Sequence, residues 1–267
     1  MIRLIGIDVD GTLVGASGRV DPAVWNAAER ARAAGIRLTL CSGRPAFGVA
    51  LEYARRLDKH GWHAFQNGAS ILDLATGQSR SAHLPLDCVK HLTERARNTG
   101  DALELYSDDQ YVTESTSTWA RAHATLLGVP FESRPYESLT EPIVRAQWLL
   151  GREAATQLLA IAHPGLEIAQ STSPLMPEVQ FVGMTREGVS KGSAIRAIAA
   201  EYAIALEDVM YVGDAGNDLA ALRIVGCPIA MGNAAPAVIK AAVRAVGDVD
   251  AGGLAQALEL AITNGAR

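Results

Sequence analysis

Along the chain, short apolar runs alternate with longer stretches whose apolar residues recur at helical spacing. The runs at 2–9, 36–41 and 209–214 are rich in β-branched and aliphatic residues, which is typical of strands buried on both faces. Asp21 and Pro22 have the residue types of an N-cap and a first helical position, so they predict the start of a helix. This order of strands and helices predicts a parallel sheet with helices on its faces.

The pattern changes in the middle of the chain. HAFQNGASILDL at 63–74, followed by SRSAHL at 79–84, predicts short strands joined by hairpin turns. A second core helix is expected before this region, opening at Pro45. After it, predicted helices alternate with strand-like stretches such as ALELYS and EVQFVG, without the regular strand–helix order of a parallel sheet.

The regular order returns with a helix predicted at 189–203. We therefore expect an α/β protein with a Rossmann-like parallel-sheet core that is split along the chain. Residues 1–83 and 186–267 would form this core, and residues 84–185 would be an inserted α+β cap domain.

Composition narrows the possible partners and locations. The chain has 267 residues, and 24 Lys and Arg against 29 Asp and Glu give a net charge of −5. This balance argues against a nucleic acid or a membrane surface as partner. No apolar stretch approaches the roughly 20 residues of a membrane span, and the N-terminus runs directly into a strand pattern. We expect a cytoplasmic protein, monomeric or homodimeric, whose three cysteines are buried thiols in a reducing compartment.

The stretch IGIDVDGTLV at 5–14 places two acids at the end of the first apolar run. Asp8 and Asp10 leave an extended backbone on the same face, where their charges repel. They could simply face water beside an Asp-Gly turn. They could also hold a cation or take part in catalysis, and this stretch alone does not distinguish the two interpretations.

Polar residues collect where the predicted core strands end, which is the edge at which open parallel sheets bind ligands. Acids there suit a hard cation such as Mg²⁺, while hydroxyl, backbone N–H and lysine groups suit phosphoryl oxygens. Each group alone is a weak signal, but together they are the inventory of a phosphoryl-transfer site. The residues are Asp8, Asp10, Gly11, Thr12, Ser42, Gly43, Arg44, Lys191, Asp214, Asn217 and Asp218.

Four ordered motifs resemble those of the haloacid dehalogenase-like phosphohydrolases, specifically the Cof-like branch with a large α/β cap. Shorter stretches, QNGASI, AMGNA and DAGGLAQAL, are similar to that branch as well. The branch often has Thr where this chain has Ser42, and the hydroxyl is retained. The four motifs are D8-V-D-G-T12, C41-S-G-R44, G188-V-S-K-G192 and G213-D-A-G-N-D218.

The resemblance implies a mechanism that uses the two acids of the first motif differently. Asp8 would be the nucleophile that forms an aspartyl-phosphate, and Asp10 would be the general acid and base. Mg²⁺ would be held by the Asp8 carboxylate, the Asp10 main-chain carbonyl and Asp214.

The resemblance also implies roles around the phosphoryl group. Ser42 and Lys191 would hold it, together with backbone groups in the turns at Gly11, Thr12 and Gly43. Further roles are implied at three other positions. Asn217 would orient the phosphate or Lys191. Asp218 would support the metal ligands or merely cap a helix, and Arg44 would line the substrate entrance or pair with a surface acid.

The expected activity is Mg²⁺-dependent hydrolysis of a small phosphorylated metabolite, such as a sugar phosphate, with the cap determining specificity. A phosphomutase on the same fold and a non-catalytic regulator that binds a phospho-ligand are the alternatives. A receiver-type signalling domain would need neither the inserted unit nor the motif at 213–218.

Overall fold

The computed structural model describes residues 1–173 and 175–264. In its first part, strands and helices alternate as the apolar pattern predicts. The second helix begins at Gly48 rather than at Pro45, and Ser79 forms only a single bridge to Leu72 where a further strand was expected. The elements are β1 (Leu4–Ile7), α1 (Pro22–Ala33), β2 (Arg37–Leu40), α2 (Gly48–Asp58), β3 (Trp62–Phe65) and β4 (Ser70–Asp73).

The middle of the chain mixes helices with antiparallel strands. Its elements are α3 (Leu86–Thr99), β5 (Ala102–Tyr106), β6 (Tyr111–Thr113), α4 (Thr118–Leu127), β7 (Arg145–Leu150), α5 (Arg152–Leu159), β8 (Leu166–Ser173) and β9 (Met176–Arg186).

The strand–helix order then resumes. The elements are α6 (Lys191–Glu201), β10 (Val209–Gly213), α7 (Leu219–Leu222), β11 (Cys227–Ala230), α8 (Pro236–Ala241), β12 (Arg244–Ala245) and α9 (Gly253–Asn264).

The first and last parts of the chain share one parallel sheet with the strand order β12-β11-β10-β1-β2. β1 pairs with β10 on one side and β2 on the other, and its four residues are fully buried or nearly so. Such burial on both faces explains why the strand is apolar throughout. β3 and β4 form an antiparallel hairpin beside it, with a bridge from Cys41 to Ala64. This arrangement confirms the predicted α/β fold with a parallel-sheet core.

The middle part forms its own antiparallel sheet in the order β6-β5-β7-β9-β8. One face of this sheet packs on α3 and α5 through a separate apolar core, in which Trp148, Leu103 and Val182 are completely buried. On the other face, Trp119 of α4 packs against a smaller apolar group that includes Leu149 and Phe181. An antiparallel sheet with helices packed on it is an α+β arrangement, and it has its own hydrophobic core.

Contacts within the chain divide it into two compact units. The first comprises Met1–Arg44, Ala50–Arg80 and Ser190–Arg267; the second comprises Pro45–Val49 and Ser81–Val189. The expected insertion 84–185 lies within the second unit, which is longer at both ends. The short segment 45–49 joins it because Phe47 stacks on Tyr106 and Tyr111.

No helix in the described residues is long and apolar enough to cross a membrane. The three cysteines carry free thiols; Cys41 is buried as expected, whereas Cys88 and Cys227 are partly exposed.

Candidate active site

Three core strands deliver polar side chains to one edge of the parallel sheet. Asp8 directly follows β1, Ser42 comes two residues after β2, and Asp214 directly follows β10. Because these strands are neighbours and parallel, their carboxyl ends meet. Asp8 is only 4% exposed and Ser42 only 1%. Two of the three side chains at this edge are therefore buried, and Asp214 is partly exposed.

Lys191 is the charged centre of this site. It is the first residue of α6, whose N-cap Ser190 accepts a hydrogen bond from the Ser193 amide, and its side chain is 1% exposed. Its Nζ atom lies 2.6 Å from Asp8 Oδ1 and 2.7 Å from Asp218 Oδ1. The helix start thus carries the ammonium group directly between two buried carboxylates.

Asp218 is the most completely bonded acid of the site. Besides Lys191, its carboxylate accepts hydrogen bonds from the Tyr211 hydroxyl at 2.8 Å and from the amides of Asp214 and Ala215 at 3.1 and 3.0 Å. It therefore caps the turn after β10 and fixes Lys191 at the same time. Of the two roles considered for Asp218, the structure shows capping, and support of the metal ligands stays a prediction.

The site holds more negative than positive charge, and this helps to raise the pKa values of Asp8, Asp214 and Lys191. Burial, and then repulsion from Asp218, raise the pKa of Asp8 well above its usual value, although Lys191 opposes the shift. The same two causes raise the pKa of Asp214. Burial by itself would lower the pKa of Lys191, but Asp8 and Asp218 outweigh it and raise that pKa. The three acids share a single buried ammonium group, which leaves a deficit of positive charge.

A divalent cation fits this deficit. Asp8, Asp214 and Asp218 each offer a carboxylate oxygen, and these oxygens lie within 4.8 Å of one another. All-oxygen ligand sets of this kind suit Mg²⁺. The group does not include the carboxylate of Asp10, and the contribution of the residue 10 main-chain carbonyl to the metal stays a prediction.

The Asp10 carboxylate is instead held by Arg44. Arg44 Nε donates to Asp10 Oδ2 at 3.1 Å and Arg44 Nη2 donates to Asp10 Oδ1 at 2.5 Å, a bidentate arrangement. Burial alone would lower the pKa of Arg44, but the bonds to Asp10 raise it. Of the two roles considered for Arg44, the structure shows pairing with an acid, and that acid belongs to the first motif.

The turn after Asp10 is built around Gly11. Its φ of +81° is in the left-handed region, and a Cβ at this position would overlap the Asp214 carboxylate. The Gly11 amide donates to Val14 O, and the Thr12 hydroxyl donates to Asp214 Oδ1 at 3.2 Å. Gly11 and Thr12 thus shape the turn and orient Asp214.

Asn217 lies in the turn that Asp218 caps. Its side-chain amide donates to Asn67 Oδ1 at 3.0 Å, and a Cβ at Gly43 would lie 3.2 Å from that same oxygen. Asn67 adopts a left-handed conformation with φ of +57°, and its backbone amide donates to Ser42 O. Asn217 is thereby connected, through Asn67, to the loop that carries Ser42 and Gly43.

Sequence reasoning assigned no role to Asn67, Tyr211 or Asn233. Asn233 donates to Gly11 O at 2.8 Å and accepts from the Val249 amide, so it supports the first turn. The stretches QNGASI and AMGNA contain two of these residues and were a usable signal. Tyr211 lies inside an apolar strand and gave none.

Comparisons with known proteins identify relatives of this chain. A family model described as haloacid dehalogenase-like hydrolase matches residues 5–258. A Bacillus subtilis protein named "Putative phosphatase YxeH" is 27% identical over 251 residues, covering 91% of this chain and 92% of that protein. An "HMP-PP phosphatase" of Yersinia pseudotuberculosis is 24% identical over 242 residues, covering 88% and 86%. The crystal structure of a haloacid dehalogenase-like hydrolase from Bacteroides thetaiotaomicron superposes with a TM-score of 0.85 and 26% identity, covering 97% and 99%.

Proposed function

Because the chain belongs to the haloacid dehalogenase-like hydrolase family, we propose that it is a Mg²⁺-dependent phosphatase that acts on a small phosphorylated metabolite. The proposal rests mainly on one observation: a buried carboxylate, Asp8, is held 2.6 Å from Lys191 and is grouped with Asp214 and Asp218 within 4.8 Å. A nucleophile, a counter-charge and a cation site are the three parts that phosphoryl transfer to an aspartate requires.

The carboxylates of Asp8 and Asp214, with the main-chain carbonyl of Asp10, would hold the cation. When bound, Mg²⁺ supplies positive charge that offsets the acids and the developing charge on the phosphoryl oxygens. Asp218 already has four partners, so we assign it to positioning Lys191 and the turn rather than to the metal.

The remaining donors suit a phosphoryl group. The Lys191 ammonium has three N–H groups, of which Asp8 and Asp218 take two, so the third can bind a phosphoryl oxygen. The Ser42 hydroxyl accepts a hydrogen bond from the Arg44 amide, which leaves its own O–H to donate. Asn217 would bind the phosphate from the opposite loop.

Hydrolysis would proceed in two steps. In the first, an Asp8 oxygen attacks phosphorus, the bond from phosphorus to the leaving oxygen breaks, and Asp10 gives its proton to that oxygen. In the second, water attacks the aspartyl-phosphate and loses a proton to Asp10, the bond to Asp8 breaks, and inorganic phosphate leaves. Arg44 would act as a positioning residue for Asp10, and one of its two bonds to Asp10 would open so that this oxygen can carry the proton given in the first step and taken up in the second.

We propose that the second unit determines which ester is accepted. The residues assigned to the chemistry all lie in the first unit, and only Gly188 and Val189, at the start of the third motif, fall in the second. Most of the 81–189 segment is therefore available to vary without changing the chemistry. A sugar phosphate or a similar small ester is the proposed substrate class. The monomeric or homodimeric state and the cytoplasmic location stay predictions.

The test is release of inorganic phosphate from a generic aryl phosphate with and without Mg²⁺, followed by a panel of phosphorylated metabolites. We expect release only with the metal. An isomeric phosphate ester in place of inorganic phosphate would identify a phosphomutase. Binding of the panel compounds without turnover would identify a regulator.

A further inference from the structure

A cavity in the second unit has no part in the chemistry proposed above. Its volume is about 480 Å³, and it lies between α3 and the loop after α5. Cys88, His91 and Arg95 line it from one side of α3, and residues of the 161–166 segment line it from the other. All of these residues belong to the same unit.

Arg95 brings a guanidinium with one buried, unpartnered nitrogen to this cavity. The Nε atom of Arg95 is buried, and no described residue accepts a hydrogen bond from it. A buried donor without an acceptor is destabilising, and more so when it is charged. The carboxylate of Asp87 also lines the cavity but is exposed and eight residues earlier, about 12 Å along the helix axis. It is not a hydrogen-bond partner of Arg95 Nε.

The rest of the lining is largely apolar. Leu92 is buried, and Ile161, Pro164 and Leu166 complete the walls. His163 also lines the cavity, and its Nε2 atom is bonded to Leu158 O at 2.9 Å, which fixes the orientation of the ring. An occupant that satisfies both features has an anionic group for the guanidinium and an apolar body for the walls.

We propose that this cavity binds a small organic carboxylate with an apolar body, its carboxylate paired with Arg95. A carboxylate matches the site better than a phosphate, because it carries one negative charge and its two oxygens fit the fork of a single guanidinium. The ligand would bind to the second unit independently of the chemistry at Asp8.

Cys88 provides a direct reporter of occupancy. It lines the cavity, and burial and the neighbouring Asp87 raise the pKa of its thiol. Alkylation by iodoacetamide at mildly alkaline pH, followed by peptide mass spectrometry, measures its accessibility with and without naphthoate as probe. We expect saturating naphthoate to slow alkylation of Cys88 about tenfold, while Cys227 in the first unit reacts at an unchanged rate.

Two controls separate a carboxylate site from an apolar crevice. Naphthamide has the same shape without the charge and should give little protection. Arg95→Gln should weaken naphthoate binding about tenfold or more, whereas Lys90→Gln, which removes a charge from an exposed position on the same helix, should not. If Arg95→Gln does not fold, the comparison of naphthoate with naphthamide on the unmodified chain decides. Equal protection by both compounds, or none by either, would overturn the proposal.

Discussion

At the residue scale, Asp8 combines burial with a raised pKa and a direct contact to Lys191. Asp8→Asn keeps the shape of the side chain but removes the nucleophile and a metal ligand. We expect phosphate release to fall by more than about 10³-fold. The fold should persist, because a neutral amide tolerates burial better than a carboxylate and Lys191 keeps Asp218 as partner. Thermal unfolding checks that the variant is folded. Normal phosphate release from a folded variant would contradict the proposed mechanism.

Substitutions of Asp10 and Asp214 should differ in their effects on turnover and on Mg²⁺ affinity. Asp10→Asn removes the proton carrier and should lower turnover by roughly 10²–10⁴-fold with little change in Mg²⁺ affinity. Asp214→Asn removes a carboxylate of the cation group and should weaken Mg²⁺ binding directly. Mg²⁺ titration of both variants by calorimetry compares them. If Asp10→Asn lost the metal as badly as Asp214→Asn, the proposed division of roles would be wrong.

Arg44 should act through Asp10, since both of its bonds go to that carboxylate. Arg44→Gln is expected to lower kcat about tenfold with a smaller change in KM. Arg44→Lys keeps the charge but not the bidentate geometry, so it should restore only part of the lost kcat. In an Asp10→Asn background, Arg44→Gln should lower kcat hardly any further, because the effects of substitutions at residues that act as a unit are not additive. A full cost in that background would mean that Arg44 contacts the substrate.

At the element scale, β3 depends on a buried neutral histidine. His63 Nδ1 accepts from the Leu40 amide at 3.0 Å and Nε2 lies 2.8 Å from Asp58 O, and burial lowers the pKa of His63 to about 4. The unfolded chain binds a proton near pH 6.5 and the folded chain does not until about pH 4. The contribution of neutral His63 to the free energy of unfolding is thus complete above about pH 6.5 and is lost as the pH falls toward 4.

The measurement is urea unfolding at about pH 7.5 and about pH 5, where His63 should account for a loss of about 2 kcal/mol. His63→Gln should remove this part of the pH dependence, and the difference from the unmodified chain isolates it from the titrating acids. His60→Gln, at an exposed position, is the matched control and should leave the dependence unchanged. An equal pH dependence in all three proteins would contradict the assignment.

At the scale of the whole molecule, the two units should separate specificity from chemistry. We predict that replacing 81–189, together with the 45–49 segment that packs with it, by the equivalent parts of another Cof-like protein changes the preferred ester but not the Mg²⁺ requirement. Aryl phosphates, which make few demands on a cap, should be hydrolysed at comparable rates. The assay is kcat/KM over a metabolite panel after a check of folding. An unchanged order of preference would place specificity in the first unit.

The order of elements and the class of chemistry could be predicted from sequence because both have local signatures. Burial on both faces makes β1 and β10 apolar throughout, and the polar residues that follow must meet once the strands are parallel. The four motifs were therefore enough to place Asp8, Asp214 and Lys191 in one site. The loss of the regular strand–helix order likewise led to the prediction of an inserted cap at 84–185, whose bounds stay a prediction.

The partners of these residues were decided only by the tertiary structure. Arg44 lies 34 positions from Asp10 and Asn217 lies 150 from Asn67, and no periodicity connects residues so far apart. The bond from Tyr211 to Asp218 depends on a turn that brings the carboxylate back over a buried strand. Side-chain pairing is set by strand register, turn conformation and packing. Local residue preferences determine the elements, but those three properties exist only once the chain has folded.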